Sequence, residues 1–205
     1  MASIGHLAVG MAAARISSPR QITRRPSLRA VGMWSALSLL PDVDVIGFSL
    51  GVRYGDEWGH RGATHSFAFS IALGLAIGVA AWLVRLARSP DPGSTARAVP
   101  EEHKTAGQSR PAVRAAVIAS GVLASHALLD TMTDGGLGCA LLWPFDLTRY
   151  FAPWNPIPVA PIGWSFLSAY GLGVALTEMV LFSPVFWFAL SQGRPTRTPR
   201  STVQT

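Results

Sequence analysis

Histidine and aspartate residues interrupt the apolar stretches of this 205-residue chain at several separate places. Imidazole nitrogens together with carboxylate oxygens suit zinc, manganese or iron, whereas carboxylates alone would indicate magnesium or calcium. Such groups here exceed the four of one tetrahedral site, so the set indicates either two metal ions or one ion with additional catalytic groups. The predicted metal ligands are His6, Asp42, Asp44, His60, His65, His126 and Asp130.

The spacing of these residues suits coordination. His126 and Asp130 are four residues apart, so a helix places both on one face. Pro41 disfavours a regular helix at the residue before it and loosens the backbone that carries Asp42 and Asp44. A structural alternative stays open, in which the two aspartates pair with Arg61 or Arg53 instead of a metal.

Other residues of the same clusters are candidates for chemistry. A carboxylate that is not fully committed to metal would serve as a general base, and Arg61 could pair with a carboxylate or hold an anionic substrate such as phosphate. Thr64, Ser66 and Thr133 would orient ligands or contact substrate. The predicted catalytic residues are Asp42, Asp44, Asp130 and Arg61.

The composition predicts that membrane helices position these residues. The chain is 49% hydrophobic and only 14% charged, whereas soluble domains are about 25% charged. Four segments are long and apolar enough to cross a bilayer, which needs about 20 residues: 30–50, 64–84, 115–133 and 162–190. The last is expected to be tilted or broken near Pro184. Residues 3–14 predict a shorter helix packed inside the bundle. The predicted fold is an all-α polytopic membrane bundle with four spans plus this helix.

The chain is predicted to form one membrane-embedded domain over residues 1–190. Proline and glycine punctuate residues 85–114, which predicts a flexible loop, and residues 191–205 are predicted to be a disordered tail. At the N-terminus an apolar stretch comes first and basic residues follow it, which is the reverse of the order in a signal peptide. Cleavage of a signal peptide is therefore not expected.

The charge distribution predicts the orientation. Of 17 Lys and Arg residues, all but Arg53, Arg61 and Arg149 fall on the side of the 85–114 loop. The positive-inside rule therefore places that loop and the C-terminus in the cytoplasm, with the His/Asp site near the outer face of an inner (plasma) membrane. The basic residues form no stripe with interleaved aromatics, so direct nucleic-acid binding is not expected.

The ordered motifs resemble those of the YdjM-like group over residues 1–190. The motifs are Gly5-His6, Leu40-Pro41-Asp42-Val43-Asp44, His60-Arg61-Gly62-Ala63-Thr64-His65-Ser66, Ser125-His126-x-x-Leu129-Asp130-x-x-Thr133 and Leu141-Leu142-Trp143-Pro144-Phe145. Members are described as LexA-binding, inner-membrane-associated metal-dependent hydrolases, although their reaction is itself inferred. The resemblance implies a bacterial or archaeal membrane protein with a hydrolase site. None of these residues encodes LexA binding. The group is also distantly similar to zinc-dependent phospholipase C, whose full ligand series this chain lacks.

The leading hypothesis is a membrane-bound metal-dependent hydrolase that acts on a lipid or envelope phosphoester. The alternatives are an ion- or proton-translocating protein, a haem protein with His65 and His126 as axial ligands, and a non-enzymatic membrane protein with a structural metal. The candidate ligands gather at one end of the bundle, which argues against a pathway across the membrane.

Overall fold

The computed structural model describes residues 3–17, 25–88 and 101–191, and only the backbone of residues 101–108. Every regular element within these residues is helical, which confirms the all-α prediction. The α-helices are α1 (Ser3–Ile16), α2 (Leu28–Leu39), α3 (Phe67–Ala87), α4 (Glu101–Thr131), α5 (Ala169–Leu181) and α6 (Ser183–Leu190). The 3₁₀ segments are Leu40–Leu50, Ala63–His65 and Gly163–Leu167.

Three described helical stretches are long and apolar enough to span a membrane: Leu28–Leu50, Phe67–Ala87 and Ser109–Thr131. The α5–α6 pair gives a fourth span if it crosses as one unit, since the two helices are bent by 61° at their junction. Pro184 lies in the first turn of α6 and cannot continue the hydrogen-bond ladder of the preceding helix. The predicted break near Pro184 is therefore confirmed.

The predicted 85–114 loop is wrong at both ends. Residues 85–87 belong to α3, and α4 already begins at Glu101 and continues through Pro111. A proline inside a membrane helix removes one backbone hydrogen bond but is tolerated where the surrounding helices compensate, so it did not mark a loop here. Residues 89–100 and residues 192–205 of the predicted tail lie outside the described residues.

The short helix α1 packs inside the bundle, as predicted. Ala8, Ala13 and Ala14 are almost fully buried, and Gly10 lies so close to α2 that a Cβ would approach the Ser35 Cα to 2.5 Å. The C-terminus of α1 receives a hydrogen bond from the Arg114 guanidinium to the Ile16 carbonyl. A cation at that end complements the partial negative charge of the helix terminus.

Helices α3 and α4 approach closely through small residues. A Cβ on Gly74 would lie 2.0 Å from the Ser120 Oγ and 2.7 Å from its backbone nitrogen, and one on Gly78 would lie 2.7 Å from the Ala116 Cβ. Glycines four residues apart allow this close packing of membrane helices. This packing places the C-terminal part of α4, which carries His126, beside the start of α3.

Gly74→Ala is expected to destabilise the protein by about 1–3 kcal/mol, the usual cost of overpacking a close interface. The matched control is Gly121→Ala on α4, where an added Cβ meets no atom within 4 Å. Thermal unfolding of the detergent-solubilised variants measures both. Equal melting temperatures for the two variants would contradict the α3–α4 interface.

Candidate metal centre

Four side chains aim donor atoms at a common point. The Nε2 atoms of His65 and His126 are 3.1 Å apart. The Asp42 Oδ1 lies 3.5 Å from the first and 3.4 Å from the second, and the Asp130 Oδ2 lies 3.7 Å from the His65 Nε2. Ligands of a tetrahedral zinc ion at about 2.0–2.1 Å are separated by about 3.3 Å. These four distances are near that spacing, and all four donor atoms lie within 4.8 Å of one another, so the group could hold one ion.

The histidine tautomers fit metal binding. The His126 Nδ1 donates to the Ser38 carbonyl at 2.6 Å, and the His65 Nδ1 lies 3.2 Å from the Asp44 Oδ2. With both Nδ1 atoms acting as donors, the Nε2 atoms of the neutral imidazoles turn their lone pairs toward each other, an arrangement that either a metal ion or a proton between them stabilises. Metal-binding histidines generally donate their second ring N–H to a carbonyl or carboxylate in this way.

Asp42 supplies an independent test of this fit. Its side chain is 7% exposed, and neither of its oxygens accepts a hydrogen bond from the described residues. Burying a carboxylate without hydrogen bonds is costly, and the imidazoles of His65 and His126 are its ion-pair partners, at 3.5 and 3.4 Å. A metal held by Asp42, His65 and His126 would remove that cost.

Asp44 is the residue that organises the 60–65 turn. Its carboxylate accepts hydrogen bonds from the His60 Nδ1 at 2.7 Å, the Thr64 hydroxyl at 2.7 Å and the Arg61 backbone N–H at 3.2 Å. Asp44, His60 and His65 also form a second group whose donor atoms lie within 4.8 Å of one another. Asp44 thus holds His60 and His65 in place, and a ligand role for it stays a prediction.

Arg61 is fully buried, and its guanidinium joins α4 to the following connection. The Nε donates to the Asp130 Oδ2 at 3.0 Å, the Nη2 to the Thr133 Oγ1 at 2.9 Å and the Nη1 to the Gly135 carbonyl at 2.8 Å. Its φ of 64° is unusual for a residue other than glycine and is the kind of strain that concentrates at functional sites. The cation therefore pairs with Asp130, not with Asp42 or Asp44 as the structural alternative proposed.

The N-terminal histidine joins the cluster, as the sequence suggested. The His6 Nε2 lies 3.2 Å from the Asp130 Oδ1, and its ring stacks on that of His126 with centroids 3.6 Å apart and an interplanar angle of 14°. Asp130 is consequently held on one oxygen by His6 and on the other by Arg61.

The three predicted supporting hydroxyls have distinct partners. Thr64 donates to Asp44, and Thr133 donates to the Asp130 backbone carbonyl at 2.9 Å. Ser66 accepts from the Phe69 N–H at 3.0 Å and caps α3. Thr64 and Thr133 thus support the cluster, whereas the contacts of Ser66 fix a helix start.

Two groups near the cluster have shifted pKa values. Burial lowers the pKa of His65, but the neighbouring Asp42 and Asp44 raise it further, to about 9. Burial, followed by the charge of Asp130, raises the pKa of the Cys139 thiol to about 12. Without a metal, His65 thus carries a proton that a bound ion would replace, and Cys139 stays a protonated thiol at neutral pH.

Glu178 is a buried acidic residue that the sequence analysis missed. It lies in α5, and its Oε2 accepts hydrogen bonds from the backbone N–H groups of Ile4 at 2.7 Å and Gly5 at 3.0 Å. It therefore caps the N-terminus of α1 immediately before His6. The sequence did contain a signal for this role, because Glu178 is a lone carboxylate inside an apolar segment. A charge at membrane depth costs about 2.5–3.5 kcal/mol on insertion scales, so such a residue usually has a specific partner.

Glu178→Ala is expected to loosen α1, because the buried Gly5 N–H and the partly buried Ile4 N–H lose their acceptor, at a cost of about 1–3 kcal/mol. Hydrogen exchange at the α1 amides should accelerate while α3 and α4 stay protected. The control is Thr177→Ala, since this exposed side chain bonds the Gly173 carbonyl of its own helix. Unchanged α1 exchange in Glu178→Ala would show that the cap does not hold the helix.

Comparison with known proteins agrees with this architecture. The family model described as YdjM inner membrane protein matches residues 1–194. Inner membrane protein YbcI of Escherichia coli (strain K12) is 36% identical over 147 residues, which cover 70% of each chain. No solved structure matches the chain. With a family match over nearly its whole length and helices able to cross a membrane, the chain belongs to the YdjM inner membrane protein family.

Proposed function

We propose that the chain is a membrane-embedded metal-dependent hydrolase whose ion is held by Asp42, His65, His126 and Asp130. The observation that carries this proposal is the pair of imidazole Nε2 atoms facing each other at 3.1 Å beside a buried carboxylate that lacks hydrogen bonds from the described residues. Two imidazoles with two carboxylates favour zinc, with manganese or iron as the next choices. A second ion would use Asp44 and His60, and it would replace the 2.7 Å hydrogen bond between them.

The carboxylates divide into different roles. Asp44 is occupied by the turn that it organises, and Asp130 is held by His6 and Arg61. Asp42 retains an oxygen without a hydrogen-bond donor among the described residues, so it is the best candidate to accept a proton from an attacking water. A bound metal would lower the pKa of that water and polarise the scissile group. Arg61 then acts as a positioning residue that fixes Asp130.

A lipid or envelope phosphoester is the proposed substrate class. The cluster lies where the connections 51–66 and 132–162 join the candidate spans, which supports a position near a membrane surface. The distribution of Lys and Arg supports an outer position for this end and a cytoplasmic position for the opposite end.

A structural metal is the second candidate, and burial favours it. His6, His65, His126 and Asp130 are all 0% exposed. Catalytic zinc sites keep one position open for water, whereas structural sites are closed by four protein ligands. The four donors here are enough to close a site, so a hydrolase would need to open it for substrate.

Activity measurements on purified protein in lipid nanodiscs separate the two candidates. Protein stripped with a chelator and reloaded with zinc or manganese is assayed against phosphomonoesters, phosphodiesters and anionic phospholipids. The proposal predicts metal-dependent turnover that Asp42→Asn lowers by at least about 100-fold, in the range of a lost general base. Ser125→Ala serves as the control because its hydroxyl bonds the Val122 carbonyl of the same helix.

Bound metal without turnover on any substrate would favour the structural site. Turnover that survives both chelation and Asp42→Asn would remove the hydrolase assignment to this cluster.

A further inference from the structure

Residues 141–147, Leu-Leu-Trp-Pro-Phe-Asp-Leu, form a turn with unusually exposed apolar side chains. Phe145 is 92% exposed, Leu147 58% and Leu142 46%. Clustered exposed apolar residues generally mark an interaction surface. The metal-centre geometry gives this turn no role, although its sequence is one of the ordered motifs.

The neighbouring connection extends this surface. Trp58 is 57% exposed and packs edge-on against Trp143, with ring centroids 5.3 Å apart. The Trp143 Nε1 donates to the Glu57 carboxylate at 2.5 Å, which satisfies its polar edge. We define the apolar tip as the four side chains Trp58, Leu142, Phe145 and Leu147.

The charged groups of the turn are tied to the protein. Asp146 accepts hydrogen bonds from the Thr148 backbone N–H at 2.8 Å and from the Tyr150 hydroxyl at 2.5 Å. The Arg149 guanidinium donates to the His60 carbonyl at 2.9 Å. These contacts hold Asp146 against the residues that follow the turn and Arg149 against the adjacent connection.

The turn lies level with the start of a membrane span. The Leu141 carbonyl accepts a hydrogen bond from the backbone N–H of Phe67 at 3.0 Å, and Phe67 is the first residue of α3. Ile71 and Leu75 on α3 are more than half exposed one turn apart, as lipid-facing residues are. The apolar tip is therefore attached where the lipid-facing surface of the bundle begins, and tryptophans are enriched at that depth.

We propose that the apolar tip inserts into the lipid headgroup region at the end of the bundle that carries the His/Asp cluster. Insertion would reach roughly 5–10 Å, as for other interfacial apolar elements. The Ala140 N–H donates to the Arg61 carbonyl at 2.9 Å, so the turn is joined to the loop that carries His60 and His65. Tip insertion would place that loop at the depth of phospholipid headgroups. The proposal does not depend on bound metal.

Site-directed fluorescence tests the insertion. Full-length Phe145→Cys protein is labelled with the polarity-sensitive dye NBD and reconstituted into phosphatidylethanolamine–phosphatidylglycerol vesicles. Cys139 is 0% exposed and has a raised pKa, so it does not compete for the label. Because Phe145 is 92% exposed, its replacement leaves the packed interior intact. The control is Thr148→Cys, an exposed polar position of the same connection.

At position 145 we expect blue-shifted NBD emission. Lipids that carry a nitroxide at a shallow depth should quench this emission strongly, and iodide present on both sides of the vesicle should quench it weakly. Position 148 should show the reverse preference. Chelator-treated protein should give the same pattern, which separates this test from that of the proposed function.

Two results would overturn the proposal. Strong iodide quenching at both positions would place the tip in water. Shielding of position 145 from iodide and from lipid quenchers alike would show that protein, such as a second copy of the chain, covers the tip.

Discussion

His126→Ala is expected to weaken metal binding by more than about 100-fold. Loss of an outer partner of a metal-binding histidine already costs 10–100-fold, and this change removes a ligand and leaves the Asp42 carboxylate without a neighbouring imidazole at 3.4 Å. Competition with a chromogenic chelator measures the affinity of purified protein. Ser125→Ala, one residue earlier on α4, should bind as tightly as the unchanged chain.

Equal affinities for His126→Ala and Ser125→Ala would show that the metal binds elsewhere. Unfolding is excluded separately by alkylation of Cys139, which is buried in the folded chain and becomes reactive only when the bundle opens.

Arg61→Met is expected to destabilise the chain by about 3–5 kcal/mol, because removal of one partner of a buried ion pair leaves the other charge uncompensated. Here the remaining charge is the Asp130 carboxylate, which receives the Arg61 Nε–H at 3.0 Å. Thermal unfolding of the metal-free protein in detergent gives the difference without a contribution from ligand binding.

The double variant Arg61→Met/Asp130→Asn is the informative control. It removes both charges, so it should be more stable than Arg61→Met alone. Additive losses in the double variant would mean that the two residues do not interact as an ion pair.

Hydropathy was sufficient to predict the architecture. An apolar run of about 20 residues has few alternatives to a membrane helix, so three spans and the short N-terminal helix were predictable. Pro184 and the length of the last apolar segment indicated the break between α5 and α6, which form a fourth span if they cross as one unit. Pro41 likewise indicated the irregular backbone before Asp42, where the helix continues as 3₁₀ from Leu40. The start of α4 was mispredicted because Pro111 was interpreted as a loop signal.

The membership of the cluster was also predictable, because counting the spans places its aspartates and histidines at one end of the bundle. The different roles of these residues within the cluster could not be predicted. Asp42 and Asp44 are two residues apart and chemically identical, yet one lacks hydrogen-bond donors among the described residues and the other accepts several. Only tertiary packing determines which carboxylate faces the imidazoles and which faces the 60–65 turn. The lone carboxylate of Glu178 in an apolar segment was a signal that was overlooked, but its partners, the backbone N–H groups of Ile4 and Gly5, could not be identified from the sequence.

X-ray absorption fine structure of the zinc-loaded protein tests the metal centre most directly. The geometry predicts about one ion per chain with four nitrogen and oxygen ligands at about 2.0–2.1 Å, and outer-shell scattering from two imidazoles that His126→Ala reduces to one. Absence of imidazole scattering, or failure of the purified protein to retain any divalent metal, would contradict a metal centre built from Asp42, His65, His126 and Asp130.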